Sequence, residues 1–162
     1  MRKIIFGYFL LCNLIIFSQE KVTTQLNQYL TDEGYPGDKV YKGGGETVSI
    51  EKSISKGDIS EYVYLSVKHD GSSTNKKLYG VYVLFENGKS IVRSKQEIMS
   101  YYTEEIGHQY KVILDLNIND IYLFKTQKVT SVKLNKYTSN VSENESNAIL
   151  KAAKVILTSQ KK

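Results

Sequence analysis

Apolar side chains recur at every second position along most of this chain. From residue 46 onward they come in short runs, separated by clusters of Gly, Asn, Asp and Ser. Successive side chains of a strand point to opposite faces, so this period specifies half-buried β-strands rather than helices of period 3.6. The clearest run is Glu61 to His69: Val63, Leu65 and Val67 share one face, and Tyr62, Tyr64, Ser66 and Lys68 share the other. In Tyr79 to Glu86 both faces are apolar, with Tyr79, Val81, Val83 and Phe85 opposite Tyr82 and Leu84. A strand of that kind belongs inside a sheet.

Asn87-Gly88 follows directly, and Ser90-Ile91-Val92 resumes the β pattern. This is a hairpin signal, and it implies a type I′ turn with positive φ at both central residues. Further strands are expected at Thr47 to Ile54, Gln109 to Asn117 and Val129 to Tyr137. Ser94 to Gly107 fits helix or strand: Glu97, Glu104 and Glu105 favour helix, whereas Ile98, Tyr101, Tyr102 and Ile106 suit either. Asn117 is placed to cap a short helix running to about Lys125, with Asp120 near its positive end. Ser142 and Glu145 have capping-box spacing. The helix they open should reach about Leu157 and bury Ile149, Ala152, Ala153 and Ile156. The expected fold is mainly β in the α+β sense: an antiparallel sheet or small β-sandwich of about six strands with a C-terminal helix packed on it.

The first residues read as an address. Met1-Arg2-Lys3 is basic, Ile4 to Phe17 is almost wholly apolar, and Ser18-Gln19-Glu20 is polar again. This is the pattern of a secretory signal peptide, residues 1–18, and the run falls short of the ~20 residues of a spanning helix. An uncleaved anchor is one alternative. Lipidation at Cys12 is another, although Leu11 before it is not the small residue such attachment prefers. Cleavage after Ser18 lowers the formal charge from +5 to +3, leaving 20 basic against 17 acidic residues, and removes the single Cys. Disulfides, thiol catalysis and multi-Cys metal sites are then excluded. A weak charge with Arg93 as the only remaining guanidinium argues against nucleic acid as a partner. No later segment is apolar enough to span a membrane after signal cleavage. Residues 19–44 read as a flexible lead-in with loop chemistry, and Gly43-Gly44-Gly45 reads as linker, since no Gly-Lys-Ser/Thr follows it. Residues 45–162 form one β-rich domain, a size at which a single core suffices.

Three phrases carry a resemblance. They are Tyr64-Leu65-Ser66-Val67-Lys68, the run from Gly80 to Gly88, and the run from Asp120 to Thr130 with its following strand and Ser-x-x-Glu helix start. Over residues 60–157 the chain resembles a type of small secreted β-rich Bacteroidota protein with no assigned activity. Lys133-Leu134-Asn135 departs from the Arg-Leu-Tyr phrase often found there. The resemblance implies a compact secreted β-rich domain and transfers no catalytic residue.

The pattern marks no catalytic residue, cofactor site or metal site. Glu104, Glu105 and His108 are the densest ionisable group, and a helix there would set Glu104 and His108 one turn apart. His69, beside Asp70, lies in another segment. No Gly-x-Ser-x-Gly elbow exists. The candidate partner-binding face is instead Tyr62, Tyr64, Tyr82 and Asn87, because an exposed tyrosine row is stiff and amphipathic. The expected function is an exported, non-enzymatic binding or structural protein of the bacterial cell envelope, periplasmic or secreted, with a protein or envelope component as partner. Two alternatives stay open: a periplasmic immunity protein or inhibitor of a secreted toxin, and a small metal-assisted hydrolase using His108 with Glu104 or Glu105.

Overall fold

A computed structural model describes residues 25–31, 36–69, 77–104 and 107–157. The signal-peptide segment and Cys12 lie outside the described residues, as do Asp70 and Glu105. Nine strands form one open antiparallel sheet: β1 (Leu30–Thr31), β2 (Lys39–Gly44), β3 (Val48–Ser55), β4 (Asp58–His69), β5 (Leu78–Phe85), β6 (Ser90–Thr103), β7 (Gly107–Leu114), β8 (Val129–Leu134) and β9 (Tyr137–Asn140). Their spatial order is β1-β2-β3-β4-β7-β6-β5-β8-β9. Helix α1 (Ile118–Thr126) lies between β7 and β8, and helix α2 (Glu143–Ile156) follows β9.

The sheet has more strands than the six expected. Two of the extra strands, β1 and β2, come from the lead-in segment, and β9 forms because Asn135 adopts φ 55° and turns the chain back. The ambiguous stretch after Ser94 is strand. Residues 90–98 of β6 pair with β5, and residues 99–103 pair with β7, so one long strand joins the two halves of the sheet. A register shift between Tyr79 and Val81, where Gly80 has φ 100°, turns Tyr79 away from Val81 and out to solvent. A second shift between Leu84 and Phe85 lets Val129 turn inward with Val132 and Leu134.

The Asn87-Gly88 hairpin forms, with a different turn. Only Gly88 has positive φ, 78°; Gly88 N donates to Phe85 O (2.9 Å), and Phe85 N donates to Lys89 O (3.0 Å). This is a three-residue loop closed by a left-handed glycine. The two-residue turn with positive φ at both positions occurs instead at Lys56-Gly57, between β3 and β4.

The inner face carries the core. Val48, Ile50, Val63, Leu65, Val81, Val83, Val112 and Leu114 are all essentially inaccessible. The sheet curls about α2, which packs on β2 and β3 at one end of the strand order and on β8 at the other. The expected stripe of Ile149, Ala152, Ala153 and Ile156 is fully buried there. Ser142 caps α2 by accepting from Glu145 N (3.3 Å), but Glu145 does not return the capping-box bond. Its Oε1 accepts instead from Thr47 N (2.7 Å), tying the helix to the start of β3.

Gly43 and Gly45, read as linker, make this seat possible. A Cβ on Gly43 would lie 2.9 Å from Ala152 Cβ, and one on Gly45 would lie 2.2 Å from Glu145 Cγ. At α1, Asn117 Oδ1 accepts from Asn119 N and Asp120 N while Asp120 accepts from Asn117 N, a complete capping box. Arg93 of β6 ion-pairs with the same buried Asp120 and so anchors the helix start to the sheet.

Candidate binding groove on the outer sheet face

Alternation that sends Val63, Leu65 and Val67 inward sends Tyr62, Tyr64, Ser66 and Lys68 outward. Register then sets Tyr64 between Ser49 of β3 and Ile113 of β7, and Ser66 opposite Lys111. The distal part of β6 brings Met99 opposite Lys111 and Tyr101 opposite Gln109. Together these residues border a groove of about 610 Å³, closed at one side by Lys42, Gly45 and Glu46. Met99, Tyr101 and Ile113 are 41%, 47% and 37% exposed.

Local contacts hold the groove in shape. Gln109 Nε2 donates to Ser66 Oγ (2.8 Å) across its floor. Tyr101 Oη donates to Met99 Sδ (3.3 Å), and Lys111 Nζ lies 5.6 Å from the Tyr101 ring centre, within cation–π range. Lys68 Nζ pairs with Glu46 at 2.6 Å and, by that hydrogen bond and its charge, holds the Glu46 carboxyl below its ordinary range. Burial, with a smaller contribution from Glu51, pushes the Tyr64 hydroxyl upward. The groove therefore offers an apolar aromatic floor, a thioether, and charges of both signs at its rim. This set suits non-covalent recognition of a chain with mixed apolar and polar groups.

The candidate residues fall in three places. Tyr62 and Tyr64 stand together on β4, ring centres 6.2 Å apart, and Tyr64 lines the groove. Tyr82 lies on β5, and the strand order sets β7 and β6 between it and β4. It lines a separate, shallower hollow of about 490 Å³ with Tyr79, Val92 and Lys133. Asn87 sits in the hairpin loop, where its Oδ1 accepts from Lys89 N (3.0 Å). Sequence reasoning passed over Met99, Lys111 and Ile113 as site residues. Their signal was the outward parity of the strand after Ser94 and of Gln109 to Leu114.

The helical juxtaposition of Glu104 with His108 does not occur: β6 ends at Thr103, β7 begins at Gly107 opposite it, and Glu104 is exposed. His69 and His108 are instead register partners on β4 and β7. Among the described residues no group of three His, Cys, Asp or Glu could hold a metal ion, and no helix is long and apolar enough to cross a membrane. Comparison with protein-family models, with curated proteins and with solved structures finds no match.

Proposed function

We propose that this chain is an exported, non-enzymatic binding protein of the bacterial cell envelope, and that it takes a protein partner in the groove between Tyr64 and Tyr101. The groove carries the proposal: a sheet face with Met99, Tyr101 and Ile113 open to solvent and opposite charges at its rim. Large apolar side chains gathered on one face cost solubility and are kept where they meet a partner. Aromatic residues and Met are the types that interfaces enrich. Export rests on the basic start and apolar run of residues 1–18.

The test is site-directed photo-crosslinking in envelope extracts. A photoreactive residue replaces Met99 in one variant and Lys125, half-exposed on α1, in a control. A discrete adduct from position 99, absent from position 125 and lost when Tyr64 and Tyr101 become Ser, is the expected result. Equal labelling from both positions would overturn the reading.

A further inference from the structure

We propose that His69 and His108 form a binding site for a divalent transition-metal ion of the borderline class, Cu²⁺, Ni²⁺ or Zn²⁺. These are the only two histidines of the chain. They lie in segments far apart in sequence, yet β4 and β7 pair so that His69 stands directly opposite His108. Both continue the inward parity of their strands, after Val67 on β4 and before Tyr110 on β7, so both imidazoles project from the same face. Directly opposed residues of an antiparallel pair have Cβ atoms roughly 4.5–5.5 Å apart. Two imidazoles leaving the sheet side by side from that separation can converge on one ion at nitrogen distances of about 2.0–2.1 Å.

The surroundings restrict both rings. The His69 ring centre lies 4.3 Å from that of Tyr137, which itself stacks on Tyr110 at 4.4 Å with 9° between planes. The His108 ring centre lies 4.9 Å from that of Tyr102, its register partner on β6. Both histidines are only half-exposed. The donor set is imidazole, without thiolate, and this selects Cu²⁺, Ni²⁺ or Zn²⁺ over Mg²⁺ or Ca²⁺. Within that class Cu²⁺ should bind most tightly. Among the described residues no third donor of the His, Cys, Asp or Glu type joins the pair. The site is on the opposite face from the groove, so its existence does not depend on the proposed function.

The experiment titrates the purified full chain with Cu²⁺ and records its electron paramagnetic resonance spectrum, beside His69→Gln and His108→Gln. The expected result is one equivalent bound with nitrogen superhyperfine splitting from two imidazoles. Each substitution should weaken it by more than the ~10–100-fold that loss of an outer-shell partner costs. Saturating Cu²⁺ should raise the melting temperature of the unmodified chain and leave both variants unmoved, because an ion that bridges β4 and β7 binds only the paired strands. A spectrum without two imidazole nitrogens in the unmodified chain overturns the proposal, whatever the variants' stability. Failure to bind, or binding unchanged in either variant, overturns it equally.

Discussion

The two faces of the sheet are built from alternate residues of the same strands and behave as different materials. On the inner face of β4, Val63, Leu65 and Val67 are buried under helices and facing strands. On its outer face Tyr62 and Tyr64 stand beside Ser66 and Lys68 at the surface. Each inner side chain contributes about 1.5–3 kcal/mol by leaving water. An outer pair such as Lys68 with Glu46, with side chains 51% and 82% exposed, contributes about 0–1 kcal/mol. Stability is thus concentrated on one parity, and the other is free to be shaped for contact. Stability and recognition should therefore be separable by substitution.

The sharpest test is on the inner face. Phe124 of α1 is fully buried and meets Phe85 edge-on, with ring centres 5.3 Å apart. Phe124→Ala removes a ring that nothing nearby can replace, and should cost about 3–5 kcal/mol in urea unfolding. A loss below ~1 kcal/mol would mean that the two faces do not differ as described.

A smaller effect is read through pH. The buried Tyr110 hydroxyl makes no well-formed hydrogen bond, although the Tyr137 hydroxyl acts on it electrostatically. Burial first, and then Tyr137, push Tyr110 up from its ordinary 10.0 to about 12. A folded value above the unfolded one means that this contribution is complete below about pH 10 and is lost as pH rises to about 12. The fold should lose roughly 2–3 kcal/mol across that window through this group. Tyr110→Phe should flatten the pH dependence, and an unchanged slope would remove Tyr110 from the account.

Gly45→Ala should act next. The added methyl displaces the Glu145 side chain and leaves the Thr47 amide without its acceptor, at about 1–3 kcal/mol. In a Glu145→Ala background the same change should cost little, because the colliding atoms are gone. Equal cost in both backgrounds would place the strain in the backbone instead.

Period two alone was enough to find β3, β4, β5 and β7, because one face of each is mainly apolar, interrupted in β3 and β4 by the buried Lys52–Glu61 ion pair. Capping chemistry found both helix starts. Elements fixed by tertiary partners were not legible. Gly43 and Gly45 read as linker because the reason for each glycine is a tertiary neighbour, Tyr29 and Ala152 for Gly43 and Glu145 for Gly45. The helix-forming glutamates after Ser94 obscured β6, where pairing on two sides overrides propensity. Glu145 satisfied the capping-box spacing and was drawn off by a backbone amide on β3. For the groove, outward parity marked Tyr64 correctly. It could not say that Met99 and Tyr101 would stand near Tyr64 while Tyr82 stood two strands beyond, because that depends on strand order.

The smallest expected effect on stability is also the most informative about the outer face. Changing Tyr64 and Tyr101 together to Ser removes the aromatic floor and only half-buried or exposed polar contacts, that of Tyr64 with Glu51 among them. Tyr101 donates only to exposed Met99, and its cation–π partner Lys111 is exposed as well. Cross-strand packing on a solvated face contributes roughly 0.2–1 kcal/mol per pair, so the double variant should unfold within about 1 kcal/mol of the parent. The crosslink from position 99 should nevertheless disappear. If the double variant instead loses as much as Phe124→Ala, these tyrosines hold the fold, and the division between a stabilising face and a recognising face fails. If stability holds and the crosslink persists, the division stands but the partner lies elsewhere, and the Tyr79–Tyr82 hollow on the other half of the sheet becomes the surface to alter.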